Sequence, residues 1–288
     1  MIPYFPFTGE RFEHSFGVRP LPDATQIIET TRRYYDEIDV KRASLESFPS
    51  EYSVGQDACL ESQRDAFRWI VDQSPHLKWD EGESVVINRA TGERIPADQP
   101  QTLLTIAPHV QEDLVIMRGD VIHGFPLVVG VVCFPSGWSV ADKLGQSVLL
   151  IHQSVPEFDP VLSPQTERLM QRLKSHRPVW RMNWGVRPLP YLDQSPKFAR
   201  GLFTAARSVT AANAGKKCYF RVERQTLTRL PSGDILFTIH THQCTLDELT
   251  VSQKQQLCGV LKTCPEDTLR YKGILPMAEP IIDYLRGR

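Results

Sequence analysis

The sequence lacks the segments and signatures of several large protein classes. No stretch approaches the ~20 consecutive apolar residues of a membrane helix, and residues 1–5 do not show the basic-then-apolar pattern of a signal peptide. Its six cysteines include no Cys-x-x-Cys pair, which argues against a structural zinc site, an iron–sulfur cluster or a disulfide scaffold. We therefore expect a cytoplasmic protein with reduced thiols and no membrane partner.

Nucleotide-binding and hydrolase signatures are also missing. The chain contains no Gly-x-Gly-x-x-Gly, no Gly-x-x-x-x-Gly-Lys-Ser/Thr and no Gly-x-Ser-x-Gly. We expect no flavin or nicotinamide site on this chain, so any redox chemistry would need electrons from another protein. The 33 basic and 34 acidic residues nearly cancel, which gives no reason to expect a nucleic-acid partner.

The N-terminal part, residues 1–110, predicts an arm and a helical layer that pack on a core. Residues 1–22 are rich in aromatic residues and proline, which favours an extended arm. Apolar residues then follow a 3.6-residue period from Pro22-Asp23 to about Arg42, and again over residues 56–71. A polar connection with a hairpin near residues 90–92 follows.

Residues 111–288 predict an antiparallel sheet with flanking helices, and the two parts should form one compact unit. The signals for strands are alternation, β-branched residues and turn residues such as Pro231-Ser232-Gly233-Asp234. Strands are predicted over residues 114–117, 125–134, 179–186, 218–230 and 235–242. Helices are predicted over residues 139–152, 163–174, 196–212, 245–261 and 265–288. This order of elements indicates an α+β fold.

His152 is the first candidate site residue. It follows four apolar residues, and Val155-Pro156 ends the segment. Haem iron commonly takes a proximal histidine inside an apolar slot, so the pattern fits an iron ligand. A core histidine bonded to the backbone fits it equally well, and from the residues alone this second interpretation is the more common outcome.

The predicted strand over residues 218–230 carries the second candidate group. Alternation places Arg221, Glu223 and Gln225 on one face and Arg224 on the other. Buried polar side chains are costly unless they pair or bind a ligand. The pattern therefore allows either a solvated face with a cross-strand ion pair or a polar pocket in which Glu223 meets a cationic ligand.

Two further patterns on predicted strands carry polar or ionisable side chains. Arg181-Met-Asn183-Trp184, like the Arg221–Gln225 stretch, carries polar and charged side chains on a predicted strand. His240 and His242 project from the same face of one strand, a spacing that can bind a metal. No carboxylate cluster is close to them in sequence, so we interpret the histidine pair as part of a half-exposed strand face.

Taken together, the motifs resemble the haem-dependent oxidative N-demethylase family, which includes the haem subunit of dimethylamine monooxygenase. They occur in order along most of the chain. The motifs are Phe16-Gly-Val-Arg-Pro-Leu21, Gln111-Glu-Asp-Leu114, Cys133-Phe-Pro-Ser-Gly-Trp138, Lys143-Leu-Gly145, Ile151-His152 with Val155-Pro156, Arg181-x-Asn183-Trp184, Arg221–Pro231, Phe237-Thr-Ile239 and Tyr271-Lys-Gly273. His242 stands where the family pattern more often has an aromatic residue.

The resemblance implies a PAS-like antiparallel sheet that holds haem b, activates O2 and receives electrons from a separate flavin or iron–sulfur reductase. The reaction would remove a methyl group from a small amine such as dimethylamine as formaldehyde. Of the eight histidines, His152 lies within a family motif and becomes the expected iron ligand. Arg181, Arg224 or Arg221 would pair with haem propionates or steady the carboxylate, while Trp138 and Trp184 would form an apolar wall.

The expected catalytic group is Glu223, with Arg221 and Gln225 beside it. Glu223 would bind the protonated amine and accept its proton, because oxidation beside nitrogen needs the neutral amine. Two alternatives stay open. One is a haem monooxygenase with another substrate, and the other is a non-enzymatic PAS-like haem or gas sensor.

Overall fold

The computed structural model describes residues 2–13, 17–22, 27–80, 82, 84–98, 100–156 and 163–287. Two antiparallel sheets form its centre. Their strands are β1 Arg19–Pro20, β2 Ser53–Val54, β3 Leu77–Trp79, β4 Val85–Asn88, β5 Arg94–Pro96, β6 Asp113–Met117, β7 Leu127–Val131, β8 Val179–Arg187, β9 Tyr219–Arg229 and β10 Ile235–Thr245. The large sheet has the order β1-β8-β9-β10-β6-β7-β2, and the small one has the order β3-β4-β5.

Helices pack around these sheets, which confirms the predicted α+β class. They are α1 Tyr34–Ser47, α2 Pro49–Tyr52, α3 Leu60–Gln73, α4 Leu103–Ile106, α5 Val148–Ile151, α6 Ser163–Arg172, α7 Ala199–Arg207, α8 Ala214–Lys217, α9 Val251–Thr263, α10 Glu266–Tyr271 and α11 Ala278–Leu285. Among the residues described, none of the helices has the length and apolar character needed to cross a membrane.

The β9–β10 hairpin is the longest paired element and confirms its prediction. Its register runs from Tyr219 opposite Thr245 to Arg229 opposite Ile235. Gly233 in the turn has a φ of 92°, a left-handed conformation that glycine adopts without strain. Strand β8 pairs along the other edge of β9, so β9 lies between two long neighbours. The side chains of β9 are therefore held at fixed positions within the sheet.

The two faces of the large sheet have different cores. On one face, here the site face, Leu227 and Ile235 pack in one core with Phe125, with Val148 of α5 and with Met170 of α6. On the opposite face, α1 and α3 cover one half, and the N-terminal arm with α9 and α11 covers the other. Strands β1 and β2 pair with β8 and β7, so residues on both sides of position 110 build the same sheet.

Helix α1 begins at Tyr34, so the predicted helix start at Pro22-Asp23 is wrong; residues 23–26 lie outside the described residues. The physical reason is tertiary. The backbone N–H groups of Glu29 and Thr31 donate to the side chains of Glu112 and Gln111, each at 2.8 Å. These contacts, made with residues some 80 positions away, replace the helical hydrogen bonds that the periodicity predicted.

Three other predicted helices are divided in the structure. The one over residues 265–288 forms α10 and α11, which are separated at Gly273, whose φ is 68°. The one over residues 139–152 is interrupted at Gly145, whose φ is 75°, and a new helix, α5, starts after its N-cap Ser147. The one over residues 245–261 has the predicted capping box of Thr245 and Glu248, but this box caps only a 3₁₀ turn. A second capping box, made by Thr250 and Gln253, starts α9.

Candidate active site

Glu223 is a buried carboxylate at the centre of the site face. It lies opposite Asn183 of β8, and its exposed fraction is 7%. Its Oε1 accepts a hydrogen bond from Ser136 Oγ at 2.6 Å, while Oε2 accepts from Asn183 Nδ2 at 3.1 Å and from Gln225 Nε2 at 3.0 Å. Although burial raises the pKa of Glu223, the charge of Arg221 and these hydrogen bonds hold it below its ordinary value. Glu223 is therefore ionised at neutral pH.

Several cations surround this one carboxylate. Lys272 Nζ donates to the Trp184 carbonyl at 2.8 Å and to Asn183 Oδ1 at 3.3 Å. Burial lowers the pKa of Lys272 to about 8, while the charge of Glu223 opposes this shift. Arg187 Nη1 donates to the Lys272 carbonyl at 2.7 Å, which fixes the start of the turn after α10. The polar part of the site face therefore carries more positive than negative charge.

Arg221 holds two covering loops against the sheet. Its guanidinium is 2% exposed and donates to the carbonyls of Phe134 at 2.6 Å and Leu192 at 2.9 Å. Phe134 leads into the turn that carries Ser136 to Glu223. Arg221 acts on Glu223 through its charge and through the position of this turn. The predicted grouping of Arg221 with Glu223 and Gln225 on one face is therefore present.

His152 lies directly after α5, on the segment that covers the site face. Its Nδ1 is 2.7 Å from the Val148 carbonyl oxygen, which can only accept, so Nδ1 carries the proton and Nε2 the lone pair. Burial lowers the pKa of His152, and the nearby charge of Arg181 lowers it further. The imidazole is thus neutral at pH 7, the state in which it can bind a metal.

His152 and Glu223 belong to the same region of the molecule. The side chain of Arg181 lies close enough to act electrostatically on both His152 and Glu223. Ser154, two residues after His152, lies close enough to Tyr271 to affect its pKa. Burial raises the pKa of Tyr271 most, and the charge of Glu223 raises it further. The segment that carries His152 therefore covers the sheet next to the Glu223 group.

An apolar surface adjoins these polar groups. Trp138, Leu149 and Ile151 pack with the same core as Leu227 and Phe237 of the site face. The region therefore combines an apolar wall with buried or half-buried cations, as a large apolar ligand with anionic groups at its edge would require. Haem has this character, and His152 offers the nitrogen that its iron needs, so the residues present fit the group.

Two predicted cofactor residues lie on the opposite face. Because side chains alternate along a strand, Arg224 and Trp184 point away from Glu223 and Asn183. The guanidinium of Arg224 lies 5.7 Å from the ring centre of Tyr4, and that side chain is 1% exposed. Trp184 packs on Phe7, with ring centres 5.0 Å apart. The structure does not bring these two residues together with His152.

Three residues of the site were not singled out from the sequence. Ser136 and Lys272 both lie within quoted motifs, but nothing in those motifs shows that they meet Glu223 or Asn183. Arg187 lies six residues after Arg181 and four after Asn183, so alternation along β8 already places it on their face. Strand periodicity would have found Arg187, whereas Ser136 and Lys272 required the tertiary structure.

A comparison with protein families identifies the family of the chain. A family model described as haem-dependent oxidative N-demethylase, alpha subunit-like, matches residues 17–282. The match spans the large sheet, the His152 segment and the C-terminal residues that complete the site. It confirms the resemblance drawn from the motifs. The chain therefore belongs to the haem-dependent oxidative N-demethylase, alpha subunit-like, family.

Proposed function

We propose that this chain is the haem-bearing oxygenase of an oxidative N-demethylase that acts on a small methylated amine such as dimethylamine. Haem b, when bound, would activate O2 with electrons from a separate flavin or iron–sulfur reductase, and the methyl group would leave as formaldehyde. One observation carries the proposal: a neutral histidine with its lone pair on Nε2 covers the face that presents an ionised, buried glutamate. We interpret the large sheet, which carries Glu223 and is covered by the His152 segment, as PAS-like.

His152, Trp138 and Arg181 are the residues that would hold the haem. His152 Nε2 is the nitrogen for the iron, and the Val148 carbonyl fixes the ring orientation through Nδ1. A backbone carbonyl in this position is a common partner of metal-bound histidine. Trp138 belongs to the apolar wall, and the guanidinium of Arg181 is suited to a propionate.

Glu223 would bind the substrate as an ammonium ion. A carboxylate offers about four acceptor positions, and Ser136, Asn183 and Gln225 occupy three. One position on Oε1 thus stays available for an N–H donor. An ammonium about 4 Å from this carboxylate gains about 4 kcal/mol from it at an effective dielectric constant of 20, and repulsion by the surrounding cations reduces this gain.

Glu223 would also take the proton that the amine must lose before oxidation. The proton moves from the ammonium nitrogen to Glu223 Oε1, and the neutral amine then presents its methyl group. The cations around the site oppose protonation of this carboxylate, so the proton must pass onward. Ser136, whose hydroxyl lies 2.6 Å from the same oxygen, can relay it by accepting this proton while it gives its own hydroxyl proton to a solvent water.

Formaldehyde release from dimethylamine, with haem-loaded protein and a chemical or enzymatic reductant, tests this proposal. We expect turnover that Glu223→Gln reduces by about a hundredfold or more, mainly through KM, while the haem content stays unchanged. Glu248→Gln, which changes an exposed capping residue outside the site, is the matched control and should retain activity. Haem binding without turnover of any methylated amine would overturn the demethylase assignment and favour a haem sensor.

A further inference from the structure

The opposite face of the sheet holds a second buried group of ionisable side chains. His240 and His242 of β10 are 1% and 8% exposed, so their interpretation as part of a half-exposed strand face is wrong. Glu29 and Glu37 approach them from the N-terminal segment and α1, and Glu112 approaches from the residue before β6. These carboxylates are distant in sequence, which is why no cluster was evident there.

Three ligand atoms of this group lie close together. His240 Nδ1 is 3.0 Å from Glu29 Oε2, and His242 Nε2 is 3.1 Å from the same oxygen. One ligand atom from each of the three residues lies within 4.8 Å of the other two. A transition-metal ion bound at about 2.1 Å, with right angles between its ligands, separates neighbouring ligand atoms by about 3.0 Å. The two distances from Glu29 Oε2 therefore match the spacing of ligands to one ion.

The hydrogen bonding of the group is incomplete within the described residues. His240 is fully buried, and neither ring nitrogen has a well-aligned hydrogen-bond partner there, although carboxylate oxygens lie 3.0–3.7 Å away. Glu112 Oε2 is likewise buried without one. Buried polar atoms in native proteins are nearly always satisfied, so such atoms call for an explanation such as an ion.

We propose that Glu29 Oε2, His240 Nδ1 and His242 Nε2 bind one divalent transition-metal ion. Two histidines and one carboxylate form a ligand set used for zinc and for non-haem iron, with remaining positions open to water. Glu29 is partly exposed, at 20% of its side chain, which provides a route of entry for the ion. The site is separate from the Glu223 group, because the sheet lies between them.

Neighbouring groups suit this ligand assignment. If Nδ1 of His240 binds the metal, its Nε2 carries the proton. This Nε2 faces Glu37 Oε2 at a distance of 3.7 Å in the structure. A carboxylate partner on the second ring nitrogen is a common feature of metal-bound histidine. The Gln111 amide donates to this same Glu37 oxygen and so fixes it.

The charged side chains of the group leave a net negative charge that a cation can balance. The carboxylates of Glu29, Glu37 and Glu112 face two guanidiniums, because Arg224 is 3.6 Å from Glu29 and Arg33 is 3.3 Å from Glu37. One negative charge is therefore left over, which a proton on His240 balances when no metal is bound. Metal binding would displace that proton, so uptake should be accompanied by proton release. The bound ion would fasten the Glu29 segment to the sheet.

Zinc binding to the purified, untagged full-length protein tests the site. After incubation with zinc and dialysis, we expect about one zinc per chain by elemental mass spectrometry. Haem iron is quantified separately. Glu29→Gln and His242→Phe should each lower zinc affinity by at least a hundredfold. Glu37→Gln should lower it about tenfold to a hundredfold, because Glu37 acts only through His240. His123→Ala removes an exposed histidine and serves as the matched control.

Circular dichroism establishes that each variant is folded, and the wild-type result does not depend on any variant. Wild-type protein that retains no zinc would overturn the proposal, as would equal zinc content in His242→Phe and His123→Ala. In either case the group would be a buried network of ion pairs only. Since haem content and formaldehyde release are measured independently, failure here leaves the proposed demethylase function untouched.

Discussion

Replacing Asp113 by Asn should destabilise the fold strongly, because this carboxylate holds two segments at once. Asp113 is 0% exposed and accepts from the backbone N–H groups of Cys133 at 2.9 Å and Phe134 at 2.8 Å. It also pairs with Lys41 Nζ at 3.6 Å. The ammonium of Lys41, equally buried, donates to the Val110 and Glu112 carbonyls at 3.0 and 2.6 Å. Asp113 thus anchors the turn that delivers Ser136 to Glu223.

The size of the effect follows from what Asn cannot do. Its amide oxygen accepts one of the two backbone bonds, while its NH2 group faces the other N–H. The Lys41 charge also loses its counter-charge, and breaking a buried pair in this way costs about 3–5 kcal/mol. With an unfolding entropy of about 2.1 cal/mol/K per residue, the melting temperature should fall by about 5–8 °C.

Chemical denaturation of the wild type, Asp113→Asn, Lys41→Met and the double variant measures this coupling directly. The double variant should be more stable than the sum of the single losses predicts, by at least about 1 kcal/mol, since it buries no unpaired charge. Asp120→Asn, at an exposed pair with His123, is the control and should change stability by less than about 0.5 kcal/mol. Additive losses, or an Asp113→Asn loss below about 1 kcal/mol, would refute the reasoning.

Two further predictions concern stability. Burial lowers the pKa of His109 to about 4 from an unfolded value of about 6.5. The unfolded state therefore binds its proton first, and stability should fall by about 3 kcal/mol as the pH falls from 6.5 to 4. Urea unfolding of His109→Gln should show a smaller fall in stability over this pH range. A fall equal to that of the wild type would contradict the lowered pKa of His109. Gly55 has a φ of 68°, and an added Cβ would lie 2.0 Å from the Val128 carbonyl oxygen. Gly55→Ala should cost more than about 2 kcal/mol by denaturant unfolding, against about 1 kcal/mol for Gly92→Ala, which has a similar φ but open space. Equal costs would show that φ alone matters.

Local signals predicted the parts of the fold that local interactions determine. The β9–β10 hairpin was predictable because its alternation and its Pro-Ser-Gly-Asp turn lie within one continuous segment. The shared face of Arg221, Glu223 and Gln225 was predictable for the same reason. The start of α1 was not, because Gln111 and Glu112 compete for its backbone from some 80 residues away.

The composition of the two buried polar groups shows the same limit. Glu223 was predicted as a site residue, but its partners Ser136 and Lys272 come from segments that meet it only in the folded chain. The His240 group on the opposite face was harder still to predict, because Glu29 and Glu112 lie more than a hundred residues before His240 in the sequence. A sequence pattern shows which residues share a strand face, and tertiary contacts decide what that face meets.

Haem content measures the central claim most directly. Wild-type protein incubated with haemin and desalted should carry about one haem per chain by its absorption spectrum, with a distinct Soret band. His152→Ala should lose this haem, because the ring that offers Nε2 to iron is gone, while the control His123→Ala should keep it. A colourless wild-type protein, or an unchanged Soret band in His152→Ala, would contradict the account.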